Sequence, residues 1–599
     1  MPIVAQSTET ADWVSRFADE VIEESERRAP GKATSPASPP VVVVASGLSP
    51  SGPIHLGNLR EVMTPHLVAD EIRRRGYQVR HLISWDDYDR YRKVPNGVEG
   101  VDESWAEHIG KPLTSVPAPK GSEYRNWAEH FKAAMIASLG ELGVEFDGIS
   151  QTEQYTSGVY RDQILHAMKH RGEIDAVLDQ YRTKKKDPAP ELKHQKQKQR
   201  KPVNEAELEA ADGPGATEED DGSSGAGEYF PYKLYCGGCG TDFTTVTSYD
   251  DETTELAYTC TVASCCFSET VLLSEFNRGK LVWKVDWPMR WAYEGVVFEP
   301  SGVDHSSPGS SFQVGGQIVG LFGGKQPIGP AYAFVGISGI AKMSSSKGGV
   351  PTPADALKIM EPQILRWLYA RRKPNQSFKI AFDQEIQRLY DEWDRLEAKV
   401  KDGSAVPGDI AAYTRAASTA AGELPGTLRP LPYRTLASVA DITGGQQDQT
   451  LRILSDLDPA NPLSSLDEAR PRYDKAEAWI TTQVPADQRT IVRDEPDTEL
   501  LGSLDETSRE SLRLLLDSLD DHWSLGGLTH LVYGVPKIQA GFSAAATPKE
   551  LPAEIKTAQR AFFALLYQLL VSKDTGPRLP TLLLAVGADR VRRRLGAAT

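Results

Sequence analysis

Three groups of residues in this chain have the types and spacing to do chemistry. All five cysteines of the 599-residue sequence fall together, as Cys236, Cys239, Cys260, Cys265 and Cys266. A C-x2-C pair with a second set about twenty residues on suits a small knuckle whose thiolates hold a tetrahedral Zn2+. Cys236, Cys239 and Cys260 are three clear ligands, and the fourth is either Cys265 or Cys266. Four thiolates leave no open coordination position, so such a site is structural. The second group is Lys342-Met343-Ser344-Ser345-Ser346-Lys347, two lysines and three hydroxyls in one polar run. The third is residues 45–58, ASGLSPSGPIHLGN, where Gly47, Ser49, Pro50 and Gly52 form a turn-prone loop ahead of His55, Gly57 and Asn58. A small-residue loop opening onto a helix N-terminus directs backbone N–H groups and the positive end of the helix dipole at an anion, and a phosphate is the expected guest.

These groups need a frame to hold them. Residues 41–46 contain four successive valines, a β-branched run typical of a strand buried on both faces of a parallel sheet. A helix is expected from about residue 57 to Arg75, with Pro65 an oddity that should kink it, and a second strand over residues 77–84. That is a βαβ unit, with ligands expected at the carboxyl ends of its strands. The acidic run Asp86-Asp87-Tyr88-Asp89 follows the second strand, where carboxylates would face a cationic group. Residues 281–291, LVWKVDWPMRW, read as a tryptophan-rich strand, and together with Gly302, Asp304 and His305 they suggest a walled pocket. A helix is expected after Gly315-Gly316 as far as Phe322, and a strand over residues 331–337.

Length, composition and charge bound the rest. The chain is too long for one core, and its 40% hydrophobic and 25% charged residues are ordinary for a globular protein. The sequence has no long apolar run and no secretory signal, so a cytoplasmic protein with no membrane partner is expected. A net charge of −16 argues against coating nucleic acid through a global basic field, and DNA is not an expected partner. Residues 182–228 run from basic to acidic with almost nothing apolar, which predicts a disordered or loosely helical insertion. From Ala354 onward apolar residues recur at helical spacing, as in Leu512, Leu515 and Leu519.

HLGN at residues 55–58 and KMSSSK at 342–347 resemble the paired HIGH and KMSKS signatures of class I aminoacyl-tRNA synthetases. Together with SWDDYDRYRKVP, WKVDWPMRWAYEGVVFEPSGVDH and SGLSPSGPIHLGNLREV, they resemble the lysine branch of that class over most of the chain. The resemblance implies an α/β fold, with a Rossmann-type parallel-sheet catalytic domain, an inserted zinc knuckle and an all-α C-terminal domain. The expected division is residues 1–40 as an N-terminal helix and lead-in, 41–181 and 276–352 as the two catalytic halves, 182–228 as the charged insertion, 229–275 as the knuckle, and 353–599 as a helical anticodon-binding domain. The implied activity is ATP-dependent formation of lysyl-adenylate and pyrophosphate, followed by transfer of lysine to tRNA(Lys). The implied partners are L-lysine, ATP with Mg2+, tRNA(Lys) and structural Zn2+, in a monomer.

By the same resemblance, His55, Asn58, Lys342 and Lys347 do the catalysis. Pro50, Gly52, Gly57, Gly302, Asp304, Gly315, Gly316, Met343, Ser344, Ser345 and Ser346 complete the ATP site. Gly47, Ser49, Trp283, His305 and Tyr332 contact lysine, with Glu61 and Asp86 as charge partners and Asp87 adding negative charge. Glutamate-specific relatives place an arginine just before the corresponding loop, whereas Ala45, Ser46 and Gly47 stand there in this chain. Asn58 in place of the second histidine and Ser345 in place of the second lysine depart from the broader pattern and fit the lysine branch. The alternatives are a tRNA-binding paralogue without activation and a small-molecule adenylyltransferase of the same nucleotide fold.

Overall fold

The computed structural model describes residues 12–28, 41–181, 223–225, 228–306, 309–338, 350–547 and 551–596. The KMSSSK run and nearly all of the 182–228 insertion lie outside these residues. The chain divides into two compact units: residues 1–356, 362–380 and 400–424 form the first, and 357–361, 381–399 and 425–599 the second.

In the first unit, helix α1 (Trp13–Arg28) precedes strand β1 (Val42–Leu48), helix α2 (Leu56–Arg74) and strand β2 (Val79–Trp85). Helix α3 (Trp127–Glu141) leads to strand β3 (Asp147–Ser150). β1 pairs parallel with β2, Val44 opposite His81, and β2 pairs parallel with β3. On the other side of β1, parallel bridges join Val44 to Phe298 and Phe298 to Ile328. The resulting order, β3–β2–β1 followed by residues 297–299 and then 328, is that of a doubly wound nucleotide-binding sheet. Its switch point lies between β1 and the strand that ends in Glu299. The valines of β1 are buried as the run predicted. Val43 and Ala45 face Trp287 and Trp291, whereas Ser46 turns to the opposite face.

Helices α4 (Gln151–Thr156), α5 (Arg161–Lys169) and α6 (Arg171–Asp179) follow β3. Strands β4 (Tyr232–Leu234), β5 (Thr244–Tyr249), β6 (Glu255–Cys260), β7 (Ser268–Leu272) and β8 (Gly279–Leu281) build the knuckle region. β5, β6 and β7 form an antiparallel sheet, and β4 pairs with β8. Val246, Leu256 and Tyr258 from this sheet share one core with Tyr155, Ile164 and Val285.

Residues 283–294 correct one expectation. They form helix α7 (Trp283–Glu294), not a strand. Trp283, Trp287 and Trp291 recur every four residues, which stacks them on one helix face, as do Asp286 and Arg290. β9 (Ser301–Gly302), helix α8 (Ser311–Ile318) and β10 (Ala331–Tyr332) follow, with β9 parallel to β10.

Among its described residues the second unit holds helices and no strand. The helix Pro362–Ala370 belongs to the first unit. Gln447–Leu457, Leu525–Gln539, Leu579–Val586 and Ala588–Leu595 are among the helices of the second unit. The core of the unit runs through Leu512, Leu515, Leu528, Val532, Leu566, Leu569 and Leu583, all fully buried. Among the described residues no helix is long and apolar enough to cross a membrane.

Candidate functional site

α2 begins at the carboxyl end of β1, and its cap is built from the two residues singled out in HLGN. The His55 backbone N–H donates to Asn58 Oδ1 at 3.3 Å, and the Gly57 N–H donates to His55 Nδ1 at 3.1 Å. This reciprocal capping box answers two of the free N–H groups of the helix start. It also assigns the imidazole, because an Nδ1 that accepts a hydrogen bond carries no proton, leaving Nε2–H as the donor. Burial pushes the His55 pKa down to about 4, so the ring is a neutral donor at physiological pH. Asn58 uses its side-chain carbonyl in the cap. The Leu56 N–H donates to Pro351 O at 3.1 Å, which brings the chain just beyond KMSSSK against the first turn of α2.

Pro65 has a consequence for the substrate side of this loop. A proline in a helix leaves the carbonyl four residues earlier without its donor, and that carbonyl belongs to Glu61. Ser46 Oγ, held at 3.0 Å from His81 Nε2, donates to Glu61 O at 3.3 Å. The Glu61 side chain is thereby set over the end of β1, where Oε1 accepts from Gly47 N at 3.2 Å and Oε2 accepts from Tyr332 Oη at 3.2 Å. Arg60, the next residue back, donates to Ala333 O at 2.9 Å and to Gln376 O and Lys373 O at 2.8 Å, anchoring the segment that carries Tyr332.

Gly47 leaves open the position a side chain would fill. A methyl built there lies 3.6 Å from Glu61 Oε1 and 3.9 Å from Asp86 Oδ2. Two carboxylates therefore converge on one point beside bare backbone. Burial raises the Glu61 pKa to about 8, helped by the charge of Glu299, and burial raises Asp86 to about 6 against the pull of Arg290. Asp86 Oδ1 accepts from Arg290 Nη1 at 2.9 Å. Asp87 has a different place from the one expected. Its carboxylate is fully buried on Lys132 Nζ at 2.7 Å, Ser150 Oγ at 2.8 Å and Thr152 N at 2.8 Å, so it ties the end of β2 to α4.

The pocket wall comes from α7 and the two outer strands. Trp283 and Trp287 stack at 5.0 Å, and the guanidinium of Arg290 lies 5.2 Å from the Trp283 ring. His305 meets the edge of Trp287 at 6.1 Å, and its Nε2 lies 3.8 Å from Asp304 Oδ2. A methyl on Gly302 would fall 2.3 Å from Asp304 Oδ1, so any side chain there would have to displace the Asp304 carboxylate. Ser49 is exposed at the rim, and Pro50 and Gly52 are buried beside it. Gly315 and Gly316 lie within α8, where a methyl would meet Trp291 at 2.9 Å and Gln326 at 2.3 Å. Their bareness serves helix packing in this structure.

Residues 11–418 match the family of tRNA synthetases class I (K). A lysine–tRNA ligase of Streptomyces coelicolor is 82% identical over 596 residues, which cover 100% of each chain. The chain belongs to the class I (K) tRNA synthetases. A lysine–tRNA ligase of Thermococcus kodakarensis is 32% identical over 92% of this chain and 95% of its own, and one of Treponema pallidum is 30% identical over 92% and 94%.

In this synthetase the sulfurs of Cys236, Cys239, Cys260 and Cys265 all lie within 4.8 Å of one another. Cys236–Cys265 and Cys239–Cys260 are each 3.7 Å apart. Four sulfurs at about 2.3 Å from a central zinc stand about 3.8 Å from each other, so the cage has the size Zn2+ requires. Cys266 is exposed, in a left-handed conformation with φ of 49°, and its sulfur faces Ala263 O at 3.2 Å. The structure thus brings Cys265, and not Cys266, into the cluster.

The residues missed by sequence reasoning are Arg290, Glu299, Lys280 and Asp286. Lys280 Nζ lies 2.6 Å from Asp89 and 3.5 Å from Asp286, and Arg290 Nη2 lies 3.2 Å from Asp286. The four-residue spacing of Asp286 and Arg290 was a helix signal in the chain. Nothing in the pattern marked Glu299.

Proposed function

We propose that this synthetase is a lysine–tRNA ligase that activates L-lysine with ATP and transfers it to the 3′-terminal adenosine of tRNA(Lys). The observation that carries the substrate reading is the pair of carboxylates, half-buried Glu61 and buried Asp86, converging on the bare Gly47 at the switch point of the sheet. A substrate carboxylate side chain would be repelled there, whereas an ε-ammonium adds positive charge where the carboxylates outnumber Arg290 and Lys280. Trp283, His305 and Tyr332 flank the same end of the sheet and suit the aliphatic stem, with Ser49 at the mouth. An uncharged analogue would bring no cation to these carboxylates and would forgo the charge pairing that lysine makes with them.

Activation is an in-line attack by the lysine carboxylate on the α-phosphate, with pyrophosphate leaving, so the protein supplies position and charge stabilisation. His55 Nε2–H and the Asn58 amide donate to phosphate oxygens as negative charge builds. Gly57 gives the nucleotide bare helix start to rest on, beside Pro50 and Gly52. Gly302 and Asp304 hold the ribose. Lys342 and Lys347, with Met343 and Ser344–Ser346 between them, neutralise the β and γ phosphates, a reading supported by the likeness of KMSSSK to the class I signature and by the bond from Leu56 N to Pro351 O. ATP enters as its Mg2+ complex, which helps neutralise the leaving pyrophosphate. Zn2+ on Cys236, Cys239, Cys260 and Cys265 is structural. The helical C-terminal region reads the anticodon, and the protein acts as a cytoplasmic monomer.

The test is ATP–pyrophosphate exchange with each amino acid in turn, using full-length zinc-replete protein. Exchange driven by lysine alone is the expected result. Protein that binds tRNA(Lys) but supports no lysine-dependent exchange would refute the proposal.

A further inference from the structure

Glu299 is a buried carboxylate that the activation chemistry above does not use. It sits on the strand next to β1, where Ala45 N donates to Phe298 O at 2.9 Å and Glu299 N donates to Ile328 O at 3.0 Å. That places it on the far side of the switch point from Glu61. Its side chain turns toward α7, with Oε1 accepting from Trp287 Nε1 at 3.0 Å and Oε2 accepting from Trp291 Nε1 at 2.7 Å. Two neutral indole donors hold the carboxylate in one orientation but do not offset the cost of burying its charge. Gly47, Trp283, Trp287, Arg290 and Glu299 line a cavity, Glu61 and Asp86 stand against its Gly47 edge without lining it, and its volume is ≈ 30 Å³. That is room for a water-sized group such as an ammonium.

We infer that Glu299 is a specificity-determining residue of the lysine site: buried Glu299 and Asp86 form with half-buried Glu61 a set of three carboxylates that accepts the ε-ammonium in exchange for a proton. The inference rests on the lysine reading above. The groups around the site are Glu61 from α2, Asp86 and Asp89 after β2, Lys280 from β8, and Asp286, Arg290 and Glu294 from α7. Tyr155, Tyr160 and Tyr332 face the same groups, with Asp304, His305 and Arg60 beyond. Lys280 and Arg290 are the cations set directly among the carboxylates, and they are outnumbered. Burial holds Glu299 up at about 6, and its charge helps hold Glu61 up at about 8. At neutral pH the empty site therefore carries a proton on Glu61. Arrival of an ammonium makes the ionised carboxylate the favoured form, and the proton leaves to solvent. An uncharged side chain offers no such exchange.

The experiment is titration calorimetry of full-length protein with L-lysine at pH 6, 7 and 8, in buffers of different ionisation heat. It compares wild type with Glu299→Gln and Glu299→Asp, each checked by thermal unfolding. Wild type should release about one proton per lysine at pH 7, and its affinity should rise about fifty-fold from pH 6 to pH 8, as follows from a single group titrating near 8. Glu299→Gln should flatten that rise to about fivefold and raise the lysine KM at pH 8 while leaving kcat at saturating lysine within about twofold of wild type. Glu299→Asp, which keeps the charge, should restore the slope. A wild-type slope and proton count in Glu299→Gln would overturn the inference, as would a Glu299→Asp protein that behaves like Glu299→Gln, because packing and not charge would then be the cause. Loss of lysine-dependent pyrophosphate exchange by wild type would instead remove the lysine reading itself.

Discussion

Replacing Cys265 or Cys266 by serine separates two neighbouring thiols that differ only in where the backbone puts them. Cys265 Sγ stands 3.7 Å from Cys236 Sγ, close to the edge of about 3.8 Å for a tetrahedron of thiolates around zinc, whereas Cys266 faces outward to Ala263 O. Structural zinc is bound with roughly 10–16 kcal/mol in small peptide sites, so removing one of four equivalent ligands should cost about 3 kcal/mol. That corresponds to about a hundredfold weaker retention. The assay is competition for the metal by a chromophoric chelator, with total zinc measured on protein purified without chelators. Wild type and Cys266→Ser should each carry one zinc per chain and lose it at the same chelator concentration, while Cys265→Ser should lose it at about a hundredth of that concentration. The Cys265→Ser loss should also lower the unfolding midpoint, because Val246, Leu256 and Tyr258 join the knuckle sheet to the core around Tyr155 and Val285. Zinc-free wild type, or a Cys266→Ser protein that loses metal while Cys265→Ser keeps it, would refute the cage geometry.

Gly47→Ala should fold normally, since its methyl meets Glu61 Oε1 at 3.6 Å and Asp86 Oδ2 at 3.9 Å without a clash. It should nevertheless raise the lysine KM in pyrophosphate exchange at least tenfold by filling the ammonium position. His55 is neutral above its pKa of about 4 and gains a proton only below it. Exchange at saturating lysine and ATP should therefore show no imidazole inflection near pH 6.5, and an inflection there that vanishes in His55→Asn would contradict the assigned tautomer. Lys342→Ala with Lys347→Ala should lower turnover at least a hundredfold with little change in lysine binding by calorimetry. In the second unit, buried Arg472 holds Glu361 at 2.8 Å and Asp394 at 2.7 Å. Arg472→Ala strands the Glu361 charge and should cost about 3–5 kcal/mol in a denaturant melt.

The chain alone carried the strand–loop–helix of β1 and α2, the cysteine knuckle, the lysine run and the family they resemble, because each is a local pattern of residue types at fixed spacing. Capping, β-branched burial and thiolate chelation act over a few residues, so they are legible in order along the sequence. The tryptophan segment was misread as a strand because its apolar density was weighed over its four-residue period, although the period was visible. Other features depend on residues far apart in the chain. Cys265 and Cys266 are equivalent by spacing, and only the turn that gives Cys266 a φ of 49° sends one sulfur in and the other out. Asp86 and Asp87 are adjacent and alike, yet one meets Arg290 beside Gly47 and the other is spent on Lys132, Ser150 and Thr152. Glu299 carried no mark at all. Its importance comes from a parallel sheet that sets it beside β1, across from a glutamate on α2, and from indoles of α7 that bury it. Burial and the charge of distant neighbours decide what a carboxylate does, and both are properties of the folded chain.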